Sequence, residues 1–195
     1  MARAVFVLVL LVFVGHCWLS GRPLERAPGV LAPNEPVQRN LTDGKTIEVN
    51  GYQLKALATF SLSARVLGAE RYRYDRGADL APVDLALGWG PMSSNAVLKG
   101  IDIDQYGRFY FWQSAEPLID VNEIQIHSAN MHMIPANDAV RDVLLSARPG
   151  NLVEIDGYLV EATASDGFRW TTSLIRTDDG GGACELVLVE GIKLH

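Results

Sequence analysis

Two imidazoles and an amide fall within six residues at His127-Ser128-Ala129-Asn130-Met131-His132, and Cys184 follows the Gly180-Gly181-Gly182 run near the end of the chain. Such residues build a metal site, a thiol nucleophile with its base, or a buried polar network. Spacing argues against a local metal pair. Residues five apart point to opposite faces of a strand and lie about 140° apart on a helix, so neither brings both imidazoles to one ion. We therefore expect no resident metal and no cofactor. Asn130 and His132 would share one face of a strand, where a hydrogen-bonded pair satisfied by neighbouring loops is the expected arrangement. As catalysts, Cys184 would be the nucleophile and His127 or His132 its base, giving a hydrolase or transferase if a positive group stabilises the thiolate. As structure, the glycines make a loop and the thiol packs at the edge of the core. No local cysteine-enzyme signature surrounds Cys184. The same loop holds Asp178 and Asp179 but lacks the alternating ligand spacing of a calcium loop.

Aromatic residues offer a second chemistry. Trp89, with Tyr72, Tyr74 and the run Phe109 to Trp112, could line a stacking groove for a small ligand or a glycan, or could be core. Nucleic acid requires a basic groove, whereas the 195-residue chain carries a formal charge of −6. Arg65, Arg71, Arg73 and Arg76 are interrupted by Glu70, Asp75 and Asp79, the pattern of a solvated, ion-paired edge.

The elements that must position these groups follow from turn chemistry and periodicity. Asn50-Gly51, between Thr46–Val49 and Tyr52–Lys55, signals a hairpin whose two central residues need positive φ; its second arm should continue through Val66. Pro82, Asp84 and Gly88 around an apolar stretch predict a short helix over 81–88, and Ser93 to Gly100 repeats that grammar with Ser93 as cap. Strands are expected at 109–112 and 124–134, then a helix over 137–147 capped by Asn137 and stopped by Pro149-Gly150. Strands should follow around Leu152–Val160, over 168–175 and over 185–192. Val153-Glu154-Ile155-Asp156-Gly157-Tyr158 echoes Ile47 to Tyr52, which we read as two hairpins or bulges with the same turn chemistry. The expected fold is α+β: one strongly twisted, mostly antiparallel sheet, open or barrel-like, with short covering helices over residues 44–195.

Ahead of this domain, Ala4 to Leu19 carries no charged residue and follows Arg3, so residues 1–20 read as a membrane anchor or signal segment, with the anchor favoured because no Ala-x-Ala cleavage site is present. Pro23, Pro28, Pro33 and Pro36 mark residues 21–43 as a tether. Cys17 and Cys184 are poorly placed to pair, so the fold must be held by its apolar core.

Tyr72-Arg73-Tyr74, Pro82 to Gly90, Ser128 to Pro135 and Gly182-Ala183-Cys184-Glu185 together resemble a group of bacterial membrane-anchored envelope proteins with no established activity. The resemblance spans roughly residues 44–189 and implies a bacterial envelope setting. Taken together, these readings lead us to expect a single-pass protein of the bacterial inner membrane, held by residues 4–19, with its C-terminal domain extracytoplasmic. Its expected role is to bind a protein partner as an accessory subunit, with Asn130, His132 and Trp89 as candidate binding residues. The alternatives are a Cys184/histidine enzyme or a small-ligand or glycan-binding module.

Overall fold

The computed structural model describes residues 24–175 and 183–195. The expected membrane segment and Asp178 to Gly182 of the glycine loop lie outside the described residues. Ten strands and a few short helices make a mainly β domain: β1 (Val37–Asn40), β2 (Thr46–Val49), β3 (Tyr52–Arg71), β4 (Val83–Gly88), β5 (Asp102–Tyr106), β6 (Phe109–Gln113), β7 (Ser128–Pro135), β8 (Leu152–Thr163), β9 (Arg169–Thr171) and β10 (Glu185–Leu194). The helices are α1 (Asn95–Leu98), α2 (Val121–Ile126) and α3 (Asp138–Ser146), with a 3-10 turn at Gly90–Ser93.

Strand pairing runs β3-β4-β7-β10-β8, and β8 pairs back onto β3, so five strands close a barrel. All these pairings are antiparallel except β7 with β10, which is parallel. β3 can serve both neighbours because it is 20 residues long: Gln53 to Arg65 pair with β8, and Arg65 to Arg71 pair with β4. Every second residue of these strands points inward. Phe60, Leu62, Val83, Leu85, Leu87, Met131, Met133, Ile155, Leu159 and Val187 fill the interior, and Val140, Leu144 and Ala147 of the α3 segment join the same core. Asn137 caps α3 as expected, accepting a hydrogen bond from the Val140 amide.

The hairpin at Asn50-Gly51 forms with φ of 51° and 80°, both positive as the turn requires. Other expectations need correction. Residues 83–88 form a strand, not a helix: Val83, Leu85 and Leu87 face the barrel while Asp84, Ala86 and Gly88 face outward, and all six are buried. A strand covered on both faces loses the polar alternation that would have revealed it, and Pro82 sits just before the strand rather than in a first helical turn. Asp156-Gly157 lies inside β8. Gly157 is needed there because a Cβ would sit 1.9 Å from the Leu188 carbonyl oxygen, beside the β10 irregularity between Val189 and Gly191. Residues 121–126 are helical and β7 begins only at Ser128, so the expected strand over 124–134 is right for its second half. Ser93 does not cap a helix; its hydroxyl accepts from the Leu31 and Ala32 amides and donates to the Gly90 carbonyl.

Those bonds also show that the proline-rich segment is docked. Leu24 donates its amide to the Pro149 carbonyl, Arg26 reaches the carbonyls of Gly150 and His195, and Asn95 donates to the Arg26 and Ala27 carbonyls. Glu35 receives the Trp89 indole N–H at 2.9 Å, and β1 pairs with β3. Prolines without apolar periodicity look like a free linker in sequence, but an extended strap satisfied by side chains from the domain has the same composition.

Candidate functional site

β4 and β7 lie side by side, with Asp84 opposite His132 and Ala86 opposite Asn130. Their outward side chains would meet water on a bare barrel. Here the β5–β6 hairpin folds across them, and a small apolar cluster of Met92, Val97, Ile101 and Ile124, with Trp112 and Ile103 packed on it, holds the insertion in place. The hairpin turns at Gly107-Arg108, both with positive φ (59° and 73°), which brings Arg108 over the strand face.

Arg108 organises a polar cluster there. Its Nη1 donates to Asp84 Oδ1 at 2.8 Å and to the Ala81 carbonyl at 2.8 Å; its Nη2 donates to Asp75 Oδ1 at 2.8 Å and Oδ2 at 3.0 Å. The guanidinium carbon lies 3.7 Å from the centre of the Tyr72 ring, a cation–π stack, and the Tyr72 hydroxyl accepts from the Arg108 amide. Asp84 is fully buried, and its Oδ2 lies 3.0 Å from His132 Nδ1, an ion-pair distance but out of line for a hydrogen bond. Asn130 receives Gln105 Nε2 at 2.7 Å and donates to the Arg108 carbonyl at 3.1 Å and, more weakly, to Asp84 at 3.4 Å. Ser128 donates to the Ile124 carbonyl, so the Tyr110 hydroxyl, 2.6 Å away, donates to Ser128. Burial pushes the Tyr110 pKa up and keeps it a donor. Asp84, Ser128 and Asn130 are thus engaged by the hairpin, as the low-dielectric setting demands, while His132 faces Asp84 and Trp170.

Beside this cluster opens a cavity of about 300 Å³ lined by Arg108, Phe109, His132, Trp170, Thr171 and Cys184. Trp170 comes from β9 and packs on the His132 ring, centroids 4.6 Å apart. Cys184, just ahead of β10, is half-buried, and its thiol lies 3.9 Å from the Arg108 carbonyl oxygen. The cavity wall is short of net positive charge. Arg108 is matched by Asp84 and Asp75, so a polyanion would find no uncompensated cation among the lining residues.

Of the residues singled out in the sequence, the structure brings His132, Asn130 and Cys184 into one region. It does not bring His127 or Trp89 there. His127 ends α2, with Nε2 3.1 Å from Glu35 and Nδ1 near Glu123, while Trp89 is fully buried in the barrel core; both hold the strap. Arg65, expected at a solvated edge, is buried and donates to the Ser93 carbonyl and Asn95. Sequence reasoning missed Asp84, Arg108, Gln105 and Trp170. An aspartate inside the apolar run Val83 to Leu87 was the available signal, because a buried acid needs a cation from elsewhere. Among the described residues, no three His, Cys, Asp or Glu side chains are grouped as a metal site.

Barrel, covering hairpin and side cavity define a small β-barrel domain with a neutral to acidic recess beside the hairpin. Compared with known proteins, the chain matches no family model, no curated protein and no solved structure.

Proposed function

We propose that the chain is a binding protein of the bacterial envelope, held at the inner membrane by residues 4–19, with its barrel outside the cytoplasm. We read it as an accessory, non-catalytic subunit rather than an enzyme. The observation that carries the binding part is the cavity of about 300 Å³ beside Trp170 and His132. Its lining is an indole face, a phenyl ring, an imidazole and a hydroxyl, with the nearest guanidinium neutralised; such a recess suits a small, uncharged ligand with an apolar or sugar-like face. Its position supports the reading by analogy of architecture. Five-stranded Greek-key barrels that take oligonucleotides or oligosaccharides use the second and third strands and the loops joining the first to second and fourth to fifth strands. In this chain those loops supply Asp75 and Trp170. The membrane setting rests on the apolar N-terminal run and on the resemblance to anchored envelope proteins.

The test is saturation-transfer NMR on the full chain in nanodiscs, with N-acetylglucosamine and indole as probes. Transfer to either probe that disappears in Trp170→Ala supports the reading, and absence of any Trp170-dependent transfer refutes it.

One observation favours a second reading: Cys184 and His132 line the same cavity, with Asp84 behind the His132 ring. That order of groups suits a thiol nucleophile, its base and an orienting carboxylate. Iodoacetamide alkylation of Cys184 against pH separates the two. Fast alkylation near pH 6 that His132→Gln slows supports a thiol enzyme, whereas the profile of an ordinary thiol, with pKa about 8.5, removes it.

A further inference from the structure

The insertion between β4 and β7 has a second face, turned away from the barrel. Its residues 89–127 contain five acids, Asp102, Asp104, Glu116, Asp120 and Glu123, and two basic residues with a fixed charge, Lys99 at the end of α1, outside the hairpin, and Arg108. Arg108 is turned inward onto Asp84 and Asp75, with 16 % of its side chain exposed, so its charge is spent on the barrel side. On the outer face of the hairpin, Asp104 stands opposite Phe111 and Tyr106 opposite Phe109. Tyr106 is 66 % exposed and Phe109 and Phe111 are each 42 % exposed. The Tyr106 and Phe111 rings stack at 4.5 Å with 17° between planes, and a groove of about 290 Å³ runs between them and the carboxylates of Asp102 and Asp104. Leu118 and Val121, further along the same insertion, are also exposed, so five of the nine large exposed apolar side chains among the described residues lie between positions 106 and 121. Exposed apolar groups gathered on one element mark an interaction surface rather than ordinary scatter.

We propose that this outer hairpin face docks a lysine- or arginine-bearing segment of a partner protein. Chemistry selects that occupant. Stacked electron-rich rings beside two carboxylates attract a cation from two directions, by ring quadrupole and by charge. A second copy of the chain would bring the same acids face to face, and an anionic bilayer would be repelled. The surface names the partner chemistry for the accessory role; Phe109 borders both it and the Trp170 cavity, but Asp102, Asp104 and Phe111 do not line that cavity, so either can fail without the other.

The probe is a fluorescein-labelled dodecapeptide of alternating lysine and serine, with alternating glutamate and serine as control, titrated by anisotropy into the full chain in zwitterionic nanodiscs at 20 and 500 mM NaCl. The lysine peptide should bind at low salt and weaken at high salt, and the glutamate peptide should not bind. Asp102→Asn/Asp104→Asn should weaken binding at least tenfold, and so should Phe111→Ser. These side chains are exposed, so the variants should fold. Asp43→Asn/Glu48→Gln, which removes equal charge near β2, should leave binding unchanged. The proposal is overturned if the lysine peptide fails to bind, if both double variants lose affinity equally, or if the Asp102/Asp104 variant binds like the parent. Concentration-dependent dimerisation abolished by Phe111→Ser would also overturn it, assigning the face to a second copy.

Discussion

Asp84 is the residue whose loss the structure makes most readable. It has no solvent exposure and holds Arg108 Nη1 at 2.8 Å and His132 Nδ1 at 3.0 Å. Removing one partner of a buried charge pair costs about 3–5 kcal/mol, because the remaining charge stays enclosed without its counter-ion. In Asp84→Asn, Arg108 keeps the two contacts to Asp75 and its slight exposure, which places this variant at the lower end, about 3 kcal/mol. Arg108→Met is the harsher change: it leaves a fully enclosed carboxylate and removes the stack on Tyr72, which places it near the upper end, about 5 kcal/mol. The double variant should be more stable than the sum of the two losses predicts, by on the order of 2 kcal/mol, since each single change strands what the other removes. Urea titration of the full chain in detergent, followed by tryptophan fluorescence, gives all three values. A loss of about 3 kcal/mol corresponds to a melting-temperature drop of roughly 6–12 °C in a domain of this size. If both single variants stay within about 1 kcal/mol of the parent, or the losses simply add, the pair does not hold the hairpin and the account of the covered strand face is wrong.

Asn130→Ala should cost about 1–3 kcal/mol by stranding Gln105 and the Arg108 carbonyl, and hydrogen exchange should quicken in β5 and β6 before it does in the barrel. Gly157→Ala should destabilise by at least about 1–3 kcal/mol, because the added methyl meets the Leu188 carbonyl across the sheet; a melting temperature equal to the parent's would show that β10 can move aside. Asp166 has its pKa lowered from 3.8, first by the Phe168 amide and then by Arg76, so its carboxylate contributes stability above the unfolded value that is lost as pH falls through the folded one. Asp166→Asn should therefore melt below the parent at pH 7, and the gap should shrink as the pH is taken below the unfolded value and through the folded one; a difference that does not shrink on acidification would refute the assignment.

Turn chemistry was readable wherever it is local. Asn50-Gly51 demanded a hairpin and Asn137 demanded a helix start, and both are present because each is decided within four residues. Residues 83–88 were not readable because burial on the second face depends on a hairpin placed some twenty residues later. Asp84 looked like a first-turn acid until Arg108 arrived opposite it. The candidate site shows the same division. Asn130 and His132 sharing one face follows from the period of a strand, whereas their meeting with Cys184 needs β10 to lie parallel to β7, a long-range pairing that no local pattern records. Trp89 attracted attention as one of the aromatic residues that could line a groove and is core, its indole N–H spent on Glu35.

On the proposed anchoring through residues 4–19, docking of the proline strap changes how far the barrel would stand from the bilayer. A free linker over residues 21–43 would give a leash with a fully extended reach of roughly 75–80 Å. With Leu24 already bonded to Pro149 and Arg26 to the carbonyls of Gly150 and His195, only residues 20–23 separate the proposed membrane segment from the folded body, a reach of about 14 Å. The domain would then ride close against the headgroups, and any partner it meets must itself present its contact close to the membrane surface.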